Sequence, residues 1–257
     1  MVRFSFLTIV VFLLNACSNE VALSDETEPV QNESPLPAVE RYYLQNQQDS
    51  IPSLSIGGVG NGRIENSTVV PFSGANFVYF DTTSYLSGRA HTCDVVCTII
   101  LQAYAELKKI ADHRFVLMEL SNKKGGEIYP HRTHQNGRSA DFMSPLLKNG
   151  KAYTELDDLG GPHYLLEFDE QGRFMDDPNI SINFDLIALH ILELEKAARK
   201  NNMKIEKVIW KMELLDELLA SEHGKHLAKS GIYITRQLEP LINSLHDDHF
   251  HVDFIPL

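Results

Sequence analysis

The chain is short of positive charge, of cysteine and of long apolar runs. Its 257 residues carry 23 Lys and Arg against 35 Asp and Glu, a formal net charge of -12. A protein that grips nucleic acid by its phosphates needs a concentrated basic face, so nucleic acid is not an expected partner. Only three cysteines are present, which gives no basis for a cysteine metal site. No apolar run approaches the roughly 20 residues that a membrane-spanning helix needs. Glycine and proline are also modest, at 15 and 11, which excludes a collagenous or wholly disordered chain. What remains is 43% hydrophobic, enough for one fair-sized core. There is no internal repeat and no second linker, so one folded domain is expected.

The first residues read as a processing signal. Arg3 supplies a positive start, residues 4–14 are apolar, and "LNAC" ends at Cys17. This box resembles a bacterial lipoprotein signal, which implies loss of residues 1–16 and acylation of Cys17. An ordinary secretory signal with a coincidental cysteine is the other reading, and it too exports the chain. Ser18 follows the cysteine, and by the same resemblance this points to the outer membrane, facing the periplasm, with membrane contact through the lipid anchor alone. Residues 17–50 then shift in composition. Glu20, Asp25, Glu26, Glu28, Glu33, Glu40 and Asp49 face only Arg41, and Pro29, Pro35 and Pro37 interrupt. This predicts a solvated, flexible tether reaching roughly 30 Å.

Residues 51–257 are expected to form the domain. Val96, Ile99, Ile100, Ala103, Leu107 and Ile110 recur at helical spacing and predict a helix over 93–111 with Thr92 as its cap. Phe184, Ile187, Ala188, Ile191, Leu194 and Ala198 predict a second over 184–200, capped by Asn183, and a third is expected near 214–223. The runs "FVLMEL" (115–120), "SADFM" (139–143), "KVIW" (207–210) and "HFHVDFI" (249–255) read as strands. Helices and strands mix without a regular βαβ alternation, so the fold class is α+β. Cys93 and Cys97 lie on one helix face, as two small interior thiols or as an awkwardly placed disulfide.

Five of the eleven histidines fall in two clusters, His131 and His134 in "PHRTHQNGRSADF" and His246, His249 and His251 in "HDDHFHVDF". A catalytic zinc takes three protein ligands and keeps a fourth position open. His134, Asp141 and His251 can supply such a set. In an extended strand His249 and His251 face one way, and Phe250, Val252 and Phe254 face the other, toward a core. Gly137, Gly125 and Gly126 suit turns around the site. Spacing alone does not separate a metal set from solvated loop histidines beside a strand-edge pair. His91, His113, His163, His190, His223 and His226 read as surface or packing residues, His190 as a hydrogen-bonded residue on a helix flank.

"HRTHQNGRSADF" and "HDDHFHV", with "SIGGVGNGRIENSTVVPF" (55–72) upstream, resemble the penicillin-insensitive murein endopeptidases. These are zinc peptidases related to D-alanyl-D-alanine peptidases of the lysostaphin and hedgehog type. The resemblance covers roughly residues 50–257. It implies a small central antiparallel sheet flanked by helices, a zinc ion on His134, Asp141 and His251, and His249 as general base. His246 and His131 match two further active-site histidines, expected to stabilise the oxyanion or fix the tautomer of the base. It implies peptidoglycan as substrate, cut at the D-alanyl to diaminopimelyl bridge, and no inhibition by penicillin because no serine is acylated. A D-alanine carboxypeptidase of the same fold, or a non-catalytic wall-binding lipoprotein, are the alternatives. The chain departs from the family in three places. Asp253 stands where a basic residue is usual, "EIYPHRTH" replaces a glycine-rich approach, and the family's disulfide cysteines have no partners. On the same strand face as His251, Asp253 can orient that ligand.

Overall fold

A computed structural model describes residues 36–47 and 50–257. The expected signal segment, Cys17 and the tether as far as residue 35 lie outside the described residues. The fold is α+β. Its centre is a five-stranded sheet in the order Met203–Ile209, His249–Pro256, Ser139–Met143, Phe115–Leu117, Phe77–Tyr79. Neighbours run antiparallel, as expected, except the last pair, which is parallel. Among the described residues no helix is long and apolar enough to cross a membrane.

Period-2 alternation sorts the central strands. Phe250 and Val252 lie directly opposite Phe142 and Ala140, and all four are fully buried. Their face packs on the helix Phe184–Lys200, whose His190 ring lies 4.8 Å from that of Phe142 and 5.5 Å from that of Phe250. That helix has the expected bounds, and Asn183 caps it by accepting from Leu186 N at 3.1 Å. It packs in turn on the helix Asp94–Ile110, which buries Val96, Ile99, Ile100, Ala103, Tyr104 and Leu107. Burying each large apolar side chain contributes about 1.5–3 kcal/mol, so these two stripes and the phenylalanine face fix the sheet.

Several local expectations are revised. Cys93, not Thr92, is the N-cap residue of the first long helix, and the Thr92 hydroxyl instead donates to the Gly137 carbonyl at 2.7 Å. The third helix is broken into Leu215–Ala220 and Glu222–Leu227 at Ser221, whose hydroxyl caps the second piece. Cys93 and Cys97 are free thiols. The tether does not extend to residue 50, because Ala38–Asn46 is a helix and the compact unit begins at Leu36. Pro37 precedes that helix, where a missing N–H costs nothing. Its Tyr42 hydroxyl lies 3.1 Å from His91 Nε2, while His91 Nδ1 meets Ser67 Oγ at 3.1 Å. The Ser67 proton goes to the Lys123 carbonyl. His91 therefore donates to Ser67 and accepts from Tyr42.

His190 is not a hydrogen-bonded flank residue. It is 1% exposed, and neither ring nitrogen has a partner. Burial lowers its pKa to about 3. A base with a lowered folded pKa stays neutral while the unfolded chain takes up a proton, so stability falls as pH drops below about 6.5. At pH 5 that amounts to about 2 kcal/mol. His190→Leu is expected to raise the melting temperature at pH 5 and to change it little at pH 8. Equal shifts at both pH values would contradict this account of His190.

Candidate metal centre

The strand register builds the site. His249–Pro256 pairs with Ser139–Met143 so that His251 lies opposite Asp141 and Asp253 opposite Ser139. Directly opposed residues share a face with Cβ atoms about 5 Å apart. His251 Nδ1 accordingly sits 2.8 Å from Asp141 Oδ1, and its Nε2 sits 2.7 Å from Asp253 Oδ1. Asp253 also accepts from Ser139 Oγ at 2.6 Å and pairs with Lys207 Nζ at 3.0 Å. With the Nε2 proton given to Asp253, the Nδ1 lone pair of a neutral His251 faces a carboxylate oxygen, an arrangement that requires a cation. Burial opposes charge on His251, yet Asp253 and Asp141 outweigh it and raise its pKa to about 10. A proton is one cation that can stand between the two groups, and a metal ion is another.

The third corner arrives from a loop. His134 has a left-handed backbone, φ 65°, a conformation that side chains other than glycine adopt uncommonly and that clusters at functional sites. The turn that follows depends on Gly137, φ 74°, where a Cβ would lie 2.7 Å from Cys93 N. His134 Nε2 is 3.1 Å from His251 Nδ1 and 3.2 Å from Asp141 Oδ2. Ligand bonds of about 2.0–2.1 Å in a tetrahedron place donor atoms about 3.3 Å apart. The two histidine nitrogens stand 3.1 Å apart, close to that size, and they meet different oxygens of Asp141, His251 at Oδ1 at 2.8 Å and His134 at Oδ2 at 3.2 Å. Asp141 Oδ2 is buried and makes no strict hydrogen bond among the described residues, while the His134 and His131 nitrogens lie within ion-pair reach of it. The donor set and this carboxylate oxygen fit a metal ion.

His131 reaches the same carboxylate at the oxygen that His134 meets, Oδ2. His131, His134 and Asp141 offer ligand atoms within 4.8 Å of one another, a largely buried group able to hold a metal ion. Two triads thus share His134 and Asp141. In the first, His131 Nδ1 stands 3.5 Å from Asp141 Oδ2; in the second, His251 Nδ1 stands 2.8 Å from Asp141 Oδ1. The other His131 nitrogen is 2.5 Å from Glu119 Oε2. Glu119 is itself clamped by Arg89 Nη1 at 2.8 and 3.0 Å and by Ser84 Oγ at 3.0 Å.

His249 shares the strand face of His251. Its Nδ1 meets Asp248 Oδ1 at 2.9 Å. Burial opposes its protonation, but Asp248 prevails and the pKa is raised. The His246 ring lies 4.8 Å away, its Nδ1 directed at the Ile242 carbonyl at 2.6 Å. Burial, and then His249, push the His246 pKa down to about 3. His131, His246, His249 and His251 line one cleft of about 680 Å³, with Tyr164, Arg89 and Lys207 on its walls.

Of the six expected residues, His131, His246, His249 and His251 line the cleft, while His134 and Asp141 are fully buried beside it, against His251. The sequence reading missed Glu119, Arg89, Asp248, Lys207 and Tyr164. Asp248 lay inside a quoted motif, and Glu119 interrupts an apolar strand run, which is a detectable anomaly. Arg89 and Tyr164 come from segments with no local signal. His163, read as a surface or packing residue, is buried behind His249 with Nε2 3.8 Å from Asp248 Oδ2. No protein-family model matches the chain, and no curated protein matches it.

A calorimetric titration with a divalent transition-metal ion is expected to give one ion per chain. Because a proton on His251 must leave first, apparent affinity should tighten about tenfold per pH unit across neutrality. Asp141→Asn should abolish binding, and affinity independent of pH would contradict the exchange of proton for metal.

Proposed function

We propose that the chain is a zinc-dependent endopeptidase acting on cross-linked peptidoglycan, at the bond between D-alanine and diaminopimelate. The observation that carries this reading is the convergence of His134 Nε2, Asp141 and His251 Nδ1 within about 3 Å of one another, with His251 opening onto a cleft. Two imidazoles and a carboxylate suit zinc, and three protein ligands leave a position for water or substrate. The resemblance of residues 131–142 and 246–252 to the murein endopeptidases supports the same choice and supplies the substrate class.

A bound zinc ion supplies Lewis-acid polarisation of a carbonyl and lowers the pKa of water to about 7. The remaining chemistry belongs to the side chains. Asp248 holds the Nδ1 proton of His249, so the other nitrogen of His249 can take a proton from attacking water and return it to the leaving amine. This is the relation of a base to an orienting carboxylate that Ser-His-Asp sites also use. Asp253 fixes the His251 ring with Nδ1 toward Asp141, as a carboxylate beside a ligand histidine does in metal sites generally. No side chain here is acylated, so the activity should survive penicillin.

Export and anchoring at the outer membrane through Cys17 belong to the same proposal. A tether over residues 17–35 would keep the domain near the wall it cuts.

Digestion of purified cross-linked peptidoglycan, followed by mass analysis, is the direct test. Conversion of muropeptide dimers to monomers, abolished by a zinc chelator, is expected. Loss of a terminal alanine alone would select the carboxypeptidase alternative. His249→Ala should keep its metal and lose about 10²–10⁴ in turnover, and near-normal turnover would remove His249 from the base role.

A further inference from the structure

Amide hydrolysis places negative charge on the carbonyl oxygen as the attacking oxygen adds to carbon, and a site gains much by aiming a fixed donor there. The two histidines expected in that role are poorly set for it. His246 Nδ1 donates to the Ile242 carbonyl, so a neutral His246 presents a lone pair, not an N–H, to the cleft. His131 spends one nitrogen on Glu119 and turns the other toward Asp141. The charged donors on the cleft walls are engaged as well. Arg89 is held by Glu119 and the Tyr129 carbonyl, Lys207 by Asp253, and Arg132 by Glu239.

Tyr164 is different. It lies on the short helix Gly161–Leu165 and lines the cleft. Its ring stands edge-on to His249 at 5.2 Å and to Phe80 at 5.7 Å, with interplanar angles of 88° and 82°. Two perpendicular aromatic contacts fix the ring direction. The hydroxyl is buried and has no hydrogen-bond partner among the described residues, a cost that goes uncompensated unless a ligand supplies the acceptor. We propose that Tyr164 is a further catalytic residue, whose hydroxyl donates a hydrogen bond to the carbonyl oxygen of the scissile amide as that oxygen gains charge. The carbonyl π pair moves onto the oxygen, the proton stays on Tyr164, and the leaving amine is protonated by His249. Burial, reinforced by Asp141, Glu119 and Asp248, holds the phenol pKa well above its ordinary value, so the hydroxyl remains a donor at any working pH.

This assignment rests on the hydrolase reading, and the test separates the two. Tyr164→Phe keeps the ring and its contacts with Phe80 and His249. In the zinc-loaded protein it should lower kcat on muropeptide dimers about 10²-fold, with KM and zinc content unchanged. A phosphinate analogue of the D-alanyl amide carries the charged tetrahedral oxygen of the transition state. Its Kd should weaken in Tyr164→Phe by a similar factor, while an uncleavable carboxamide analogue binds both proteins equally. Wild-type cleavage matched by Tyr164→Phe, with equal phosphinate affinity, would overturn the role of Tyr164 alone. A wild-type protein that neither cleaves dimers nor binds the phosphinate would overturn both readings.

Discussion

A carboxylate sealed inside a protein must be met by positive charge or give up its own, and Asp141 is such a group, fully buried at the centre of the sheet. Burial would raise its pKa, yet His134 and His251 overcome burial and hold it well below the usual carboxylate range. Asp253, Asp248 and Glu119 are buried around the same point. Two permanent cations answer them, Arg89 on Glu119 and Lys207 on Asp253. Four carboxylates against two fixed cations leave two negative charges, which two protonated histidines or one divalent ion can meet. His249 and His251, the histidines whose pKa values are raised, show where that demand is felt.

The fold exists in this form to hold that charge in place. One face of the central strands is phenylalanine, valine and alanine packed on a helix, and the other is histidine, aspartate and serine turned to the cleft. A one-residue slip would exchange the faces. The packing of Phe142 and Phe250 against each other, rings 5.3 Å apart, therefore specifies the pairing of Asp141 with His251 as directly as any contact within the site. His134 is held differently, by a loop with a left-handed residue and a glycine pressed on the start of a helix.

Much of this was legible in the sequence, because periodicity carries burial. The helix Phe184–Lys200 and the strand Ser139–Met143 have the bounds their apolar spacing implied, and the side-by-side placement of His249 and His251 follows from a period of two. What could not be read depends on tertiary direction. The strand beginning at Phe115 loses regular pairing after Leu117, yet Asp141 N still donates to the Glu119 carbonyl at 3.1 Å, and this carries a charged side chain to His131. Tyr164 reaches the cleft from a short helix far along the chain. The direction of His246 Nδ1 depends on a carbonyl four residues away. Composition misleads at Ala38–Asn46, where prolines that read as helix breakers only precede the helix.

The central proposal is that a metal ion on Asp141 would be shared with His134 and His251 rather than with His131. Anomalous diffraction at the zinc edge, from crystals grown with zinc, tests it directly. The account predicts one ion bonded to His134 Nε2, an Asp141 oxygen and His251 Nδ1, with His251 Nε2 still on Asp253. An ion held by His131, His134 and Asp141 with His251 unbound, or no ion at this carboxylate at full zinc supply, would contradict it.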